Sequence, residues 1–160
     1  MKTFIHLQSD LINQISSLLI ERQETISIAE SCTGGFLSSC LTSLSGSSHF
    51  FVGSVVAYSI LLKNDLLGIS QNDIKQYGVV SKEVVCLMAN NMRKLSNAHW
   101  ALATTGYAEL IDNNSKSYAW IAVASSESVN AQFISFDQSR LENIHAITLK
   151  ALKLLRKELS

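Results

Sequence analysis

Residues 25–35 read TISIAESCTGG, a pattern that predicts a strand running through a glycine turn into a helix. Thr25 to Ala29 is short and rich in β-branched residues, which favours a strand. The turn ESCTGG covers residues 30–35, and the apolar positions from Phe36 to Leu44 then have helical spacing. A strand, a tight turn and a helix in this order form the first half of a unit with parallel strands.

The flanking segments continue the alternation of helices and strands. Apolar spacing predicts helices over residues 7–22, 36–44, 61–68, 81–97 and 140–158, and strands over 25–29, 50–58, 99–104, 118–124 and 131–136. The alternating part predicts a largely parallel sheet with helices on both faces, and the late hairpin adds an antiparallel element. We therefore expect one α/β domain over residues 1–160, with a polar loop at 107–117 as its least regular part.

Composition excludes several classes of protein. The 160 residues carry 13 basic and 13 acidic side chains, and this balance argues against a nucleic-acid binder or a basic membrane-surface module. No apolar run is long enough to span a membrane. Asp10 and Asn13 interrupt the region where a signal peptide would need apolar residues, and the three cysteines match no disulfide or zinc framework. These features predict a cytoplasmic protein with reduced thiols.

The turn at residues 30–35 is the first candidate site. Ligands of open α/β sheets bind beyond the carboxyl ends of the strands, and Gly34 and Gly35 lack the Cβ that would keep a substrate from the backbone. Ser31 could attack a carbonyl there while N–H groups at the start of the helix hold the oxyanion. Ser31 or Thr33 could equally be a plain helix cap. Cys32 is a rival nucleophile, because helix N-termini lower the pKa of a thiol.

The second candidate lies in VAYSILLK, residues 56–63. Tyr58 is expected at the end of a central strand, and Lys63 follows about one helical turn later. The apolar residues 60–62 could partly desolvate the amine of Lys63 and so lower its pKa. A neutral lysine can accept the proton of a serine, and Ser-Lys pairs are a known variant of the catalytic triad. The alternative is a solvated surface lysine, which is the commoner environment for this residue.

A third motif, ATTGYAE at residues 103–109, could form one wall of a pocket or could simply end a strand. The four histidines are scattered and form no pattern of metal ligands. The chain contains neither a dinucleotide-binding fingerprint nor a P-loop. The sequence therefore predicts no metal and no cofactor.

Several motifs recur together in a familiar order. They are AESCTGG, Gly46-Ser47, a strand ending in AYS, Lys63 with LLGIS downstream, and YGVVSKEVV. In this order and spacing they resemble the CinA C-terminal domain family, which includes the nicotinamide-nucleotide amidases. The resemblance covers nearly the whole chain, and its first half is the more specific.

The resemblance implies a three-layer α/β/α fold with a mixed, mostly parallel sheet of about five strands. It implies hydrolysis of nicotinamide mononucleotide (NMN), a pyridine nucleotide, to nicotinate mononucleotide and ammonia, without a metal. Ser31 would be the nucleophile, Lys63 the general base and Tyr58 the tyrosine beside them. It also implies a homodimer and substrate-binding roles for Thr33, Gly34, Gly35, Gly46, Ser47, Thr105, Gly106 and, as a phosphate contact, Arg140.

The chain departs from the family pattern after Thr105-Gly106. The family continues as GIAGPxGG, whereas this chain reads GYAELIDNN. A glycine-lined loop that has been replaced indicates a changed ligand. Because Ser31, Tyr58 and Lys63 are retained together, the first hypothesis is nevertheless an amidohydrolase acting on NMN or a related small amide. The second is a catalytically impaired binding or regulatory module, and the third is a Ser-Lys hydrolase of a different small amide or ester.

Overall fold

The computed structural model describes residues 8–109 and 117–160. Its helices are α1 (Ser9–Glu21), α2 (Phe36–Thr42), α3 (Ile60–Leu67), α4 (Gln71–Tyr77), α5 (Lys82–Ser96) and α6 (Arg140–Glu158). Its strands are β1 (Ile26–Glu30), β2 (Phe51–Val56), β3 (Trp100–Tyr107), β4 (Ser117–Ala124) and β5 (Val129–Phe136). A short 3₁₀ turn, Ser47–His49, precedes β2.

The strands form one sheet in the order β2-β1-β3-β4-β5. β1 is parallel to both β2 and β3, and β4 is antiparallel to both β3 and β5. Four strands therefore point the same way and only β4 points back. This confirms the predicted α/β fold with a mixed, mostly parallel sheet.

Helices cover both faces of the sheet. On one face, α1, α2 and α6 pack against the apolar side chains of β1, β3 and β4, among them Ile28, Leu102 and Ile121. On the other face, α5 lies over alanines of β1, β3 and β4, with α3 beside it. Small side chains beneath α5 let this helix approach the sheet closely. Every residue of β1 is buried, which places this strand at the centre of the fold.

The structure adds one helix that the sequence patterns did not predict. α4 begins after Ser70, whose hydroxyl accepts a hydrogen bond from the N–H of Asp73 at 3.0 Å. None of its residues is buried, so the helix leaves no apolar periodicity in the sequence. The polar loop predicted at residues 107–117 begins in β3 and ends in β4, and residues 110–116 lie outside the described residues.

In the part of the chain that the structure describes, no helix combines the length and apolar character needed to cross a membrane.

Candidate active site

Two neighbouring parallel strands bring the predicted catalytic residues to the same end of the sheet. Ser31 follows the last residue of β1, and the chain leaves the end of β2 through Ala57 and Tyr58 into α3. The hydroxyl of Ser59 caps α3 by accepting a hydrogen bond from the N–H of Leu62 at 3.2 Å. This cap fixes the first turn of α3, from which Lys63 points back toward β1.

The amine of Lys63 contacts the hydroxyl of Ser31. Lys63 Nζ lies 2.9 Å from Ser31 Oγ, 2.7 Å from the carbonyl oxygen of Ala57 and 3.5 Å from that of Tyr58. Lys63 is 1% exposed and Ser31 7% exposed. The pair is therefore buried, and a backbone carbonyl holds the amine in position beside the hydroxyl.

The environment of Lys63 makes its amine easier to deprotonate. Burial lowers the pKa of its amine from 10.5 to about 8. Among residues 8–109 and 117–160, no carboxylate lies within ion-pair distance of this amine. A lysine without a compensating anion is partly deprotonated near neutral pH and can then accept a proton.

A buried carboxylate, which the sequence patterns did not single out, organises the turn around Ser31. Glu30 is fully buried, and its two oxygens accept hydrogen bonds from the N–H groups of Gly35, Leu37 and Ser38 at 3.0, 3.1 and 2.9 Å. The hydroxyl of Ser38 makes a further short hydrogen bond to the same carboxylate. Glu30 thus closes the loop between β1 and α2. The signal for it was a charged residue at the end of an otherwise apolar strand.

A threonine of β3, within the motif at residues 103–109, supports the turn from the other side, although the predicted contact was its neighbour Thr105. The hydroxyl of Thr104 lies 2.9 Å from that of Thr33 and 3.4 Å from the backbone nitrogen of Ser31. All three residues are buried. The predicted site residue Thr105 points to the opposite face of β3, where its hydroxyl donates to the carbonyl of Val79 at 3.0 Å. Thr105 therefore anchors the segment before α5.

The glycines of the turn adopt backbone conformations that L side chains rarely adopt. Gly34 has φ +58° and Gly35 has φ +96°. Their N–H groups are already engaged, since Gly34 donates to the carbonyl of Ser31 at 3.1 Å and Gly35 donates to Glu30. In the described part of the chain, the N–H group of Thr33 has no acceptor, whereas that of Cys32 faces its own thiol. Of the oxyanion donors expected at 33–35, Thr33 is therefore the one left available.

The thiol of Cys32 is poorly suited to be the nucleophile. Its side chain is buried, and burial raises the pKa of the thiol to about 12. The thiolate is the reactive form of cysteine, so this thiol is almost entirely unreactive near neutral pH. The geometry therefore favours Ser31 over its rival.

Tyr58 contributes its backbone to the catalytic pair and its side chain to the rim. The ring is 57% exposed, and its hydroxyl accepts a hydrogen bond from Arg140 at 2.9 Å. Arg140, the first residue of α6, also pairs with Glu109 at 2.8 Å. The resemblance places Tyr58 beside the catalytic pair, and here its carbonyl faces Lys63 while its hydroxyl is bonded to Arg140.

Two of the predicted substrate contacts, Gly46 and Ser47, lie away from Ser31 in this chain, and a third, Gly106, has a packing role. Gly46 and Ser47 precede β2, and because β1 and β2 are parallel, they lie at the opposite end of the sheet from Ser31. Gly106 sits within β3, where a Cβ would lie 2.5 Å from the Cβ of Ala119. The close pairing of β3 with β4 thus explains this glycine. Substrate-binding roles for Gly46, Ser47 and Gly106 remain predictions.

A cavity of about 440 Å³ lies at that far end of the sheet, lined by Arg93, His99 and Ser126 among others. None of the predicted site residues lines it. Within the described residues, no group of three potential ligands is arranged to hold a metal ion.

The sequence profile of the CinA C-terminal domain matches residues 8–159. The chain belongs to this family. A CinA-like protein of Amoebophilus asiaticus is 38% identical over 155 residues, covering 94% of this chain and 37% of that protein. A CinA-like protein of Flavobacterium psychrophilum is 40% identical over 148 residues, covering 91% of this chain and 35% of that protein. This CinA domain thus spans little more than a third of these relatives.

Solved structures of the family share the fold. The competence damage-inducible protein A of Klebsiella pneumoniae superposes with a TM-score of 0.89 at 25% identity, covering 94% of this chain and 95% of that chain. The competence/damage-inducible protein of Agrobacterium tumefaciens superposes with a TM-score of 0.85 at 28% identity, covering 94% and 93%. The homodimer remains a prediction for this CinA domain.

Proposed function

We propose that this CinA domain is an amidohydrolase that converts NMN to nicotinate mononucleotide and ammonia by a Ser-Lys mechanism. The observation that carries the proposal is the 2.9 Å contact between the buried amine of Lys63 and the hydroxyl of Ser31. A base within hydrogen-bond distance of a hydroxyl, with its pKa lowered toward neutrality, is the arrangement that an activated serine requires.

The first half-reaction forms an acyl-enzyme. Neutral Lys63 takes the proton of Ser31 as Oγ attacks the carboxamide carbon, and negative charge develops on the carbonyl oxygen. As the tetrahedral intermediate collapses, the C–N bond breaks and Lys63 returns the proton to the leaving nitrogen. Ammonia departs, and the amine of Lys63 is neutral again.

The second half-reaction uses the same groups. Lys63 takes a proton from water, the resulting hydroxide attacks the ester of Ser31, and the nicotinate product leaves while Ser31 regains its proton. In both steps the N–H group of Thr33 is the candidate oxyanion donor, since it has no acceptor among the described residues. One such donor typically contributes about 10²–10³ in rate.

Replacing Ser31 by alanine is expected to abolish ammonia release from NMN, because the variant lacks the atom that attacks the carboxamide. A coupled assay measures the rate of ammonia release from NMN by highly purified wild type and variant. Ser39→Ala is the matched control, since Ser39 lies in the next helix and, among the described residues, its hydroxyl bonds only to the carbonyl of Gly35. Equal rates for wild type and Ser31→Ala, or no release by wild type, would contradict the proposal.

The pH dependence of kcat/KM is expected to follow the amine of Lys63. Because its pKa is lowered to about 8, the amine is mostly protonated at pH 7 and mostly neutral above pH 9. The value of kcat/KM should therefore rise with pH and be about tenfold higher at its plateau than at pH 7. Initial rates at constant ionic strength measure the profile. A flat profile between about pH 6 and 9 would exclude Lys63 as a base of lowered pKa.

A Ser-Lys hydrolase of another small amide is the second candidate. The observation that favours it is the ion pair between Glu109 and Arg140, which places an acidic side chain beside the cation expected to bind phosphate. A panel of primary amides with and without a phosphate group separates the two candidates by their kcat/KM values.

A further inference from the structure

Three segments that end at the catalytic side of the sheet meet in one exposed cluster. Tyr58 follows β2, Glu109 follows β3, and Arg140 begins α6 after β5. β1, β2, β3 and β5 all point the same way, so these residues lie at the end of the sheet that carries Ser31. Tyr58 spans the distance from this cluster to the site, with its carbonyl toward Lys63 and its hydroxyl on Arg140.

Both terminal nitrogens of the Arg140 guanidinium bond to the protein itself. One terminal nitrogen donates to a carboxylate oxygen of Glu109 at 2.8 Å, and the other donates to the hydroxyl of Tyr58 at 2.9 Å. These are the two outward nitrogens that a guanidinium uses to bind a phosphate or carboxylate in bidentate fashion. Glu109 therefore occupies the position that an anionic group of a ligand would take.

The surrounding charges do not offset Glu109. Asp137 and Glu142 lie on either side of Arg140 in the chain, and Glu142 is bound to Ser139 in the cap of α6. Among the described residues, Glu109 is the carboxylate that contacts Arg140, so a phosphate reaches the guanidinium by displacing Glu109. Arg140 is 43% exposed and Glu109 62% exposed, and an ion pair so accessible to water is easily exchanged.

We propose that Glu109 is a specificity-determining residue that competes with the anionic group of the substrate for Arg140. In the free protein the carboxylate of Glu109 accepts a hydrogen bond from the guanidinium of Arg140. A phosphorylated ligand binds by displacing it, whereas an amide without phosphate binds without disturbing the pair. Glu109 thus weakens binding of phosphorylated amides and leaves binding of their unphosphorylated counterparts unchanged. The choice of pyridine ligands rests on the proposed function.

The test measures binding rather than turnover, in the Ser31→Ala background so that no ligand is consumed. Calorimetric titration compares the parent Ser31→Ala protein with the same protein carrying Glu109→Gln. The ligands are NMN and nicotinamide riboside, which is the same amide without phosphate. We expect Glu109→Gln to bind NMN roughly five- to tenfold more tightly and the riboside with unchanged affinity. Adding Arg140→Met should abolish the tighter binding of NMN by Glu109→Gln, because the phosphate then has no guanidinium to bind.

Glu127→Gln is the matched control for the change in net charge. Glu127 is exposed in the turn between β4 and β5, at the opposite end of the sheet, so NMN affinity should not change. Equal tightening by Glu109→Gln and Glu127→Gln, equal tightening for NMN and the riboside, or a gain that survives Arg140→Met would each overturn the inference.

Inorganic phosphate separates this inference from the proposed function. If NMN is neither hydrolysed nor bound, the proposed substrate is wrong, and titration with inorganic phosphate decides the role of Glu109. If Glu109→Gln binds phosphate more tightly than the parent protein, and Arg140→Met removes this increase, the proposed competition for Arg140 is supported. Phosphate affinity equal to that of the parent protein overturns it.

Discussion

Replacing Lys63 by methionine is expected to lower kcat/KM for NMN by about 10³-fold or more, because the serine hydroxyl loses its base. Methionine has a similar length and is apolar, so it fits a position that is 1% exposed. Lys75→Met is the matched control, since Lys75 lies exposed on α4 and should leave the rate unchanged. A Lys63→Met enzyme with more than about a tenth of wild-type activity would exclude Lys63 as the base.

The same substitution is expected to change how stability depends on pH. The pKa of Lys63 is about 8 in the folded protein and 10.5 in the unfolded chain. Between these values the unfolded chain holds a proton that the folded protein has released, so stability rises with pH across this window. The full rise is about 3 kcal/mol, at about 1.4 kcal/mol for each pKa unit.

The measurement is the difference in free energy of unfolding between wild type and Lys63→Met. Measured by urea denaturation, the free energy of unfolding of wild type should increase relative to that of Lys63→Met between pH 7.5 and pH 10. Relative to Lys75→Met it should not change. Other titrating groups are shared by both proteins and cancel in the difference. A difference that is constant across this range would show that Lys63 keeps an ordinary pKa in the folded protein.

Removing the carboxylate of Glu30 is expected to cost about 3–5 kcal/mol of stability. Glu30→Ala leaves the buried N–H groups of Leu37 and Ser38, and that of Gly35, without their acceptor. A buried donor that loses its partner is more costly than the hydrogen bond was worth, since water does not replace the acceptor. The turn that carries Ser31 also loses its closure, so activity should fall with stability.

Urea denaturation measures this cost, with Glu83→Ala as the control. Glu83 is an exposed acidic residue in the first turn of α5, and its loss should cost less than about 1 kcal/mol. If Glu30→Ala does not fold, Glu30→Gln provides the measurement, because the amide keeps one acceptor oxygen but turns its NH₂ group toward the donors. A cost below about 1 kcal/mol for both Glu30 variants would contradict the role of the carboxylate.

The burial of the Lys63 amine was predicted correctly, but from the wrong neighbouring residues. The apolar residues 60–62 predicted a desolvated amine, and the amine is indeed buried. Yet Ile60 and Leu61 are 48% and 65% exposed, so these neighbours in sequence do not shield it. The ends of β1 and β2 shield it, because α3 folds back across them. Sequence neighbours on a helix point in different directions, and only the packed structure selects which side is buried.

The motifs at the two ends of the sheet show a second limit. Gly46-Ser47 and AESCTGG recur together in the resemblance, but a recurring pair of motifs carries no information on distance. The strand between them separates them, since one precedes β2 and the other follows its parallel neighbour β1. Conversely, Tyr58 and Arg140 are 82 residues apart and share a hydrogen bond that no local pattern indicated.

The sequence by itself determined the alternation of helices and strands, the glycine turn after β1 and the pairing of a serine with a lysine as the candidate chemistry. The first two follow from side-chain periodicity and from backbone preferences, which act over a few residues, and the third rests on the resemblance to the family. Only the tertiary structure decided that Glu30 and Thr104 hydrogen-bond to the turn, that the amine of Lys63 is desolvated and that Glu109 forms an ion pair with Arg140. Those outcomes depend on the parallel register of the strands, which brings together side chains that are distant in the chain.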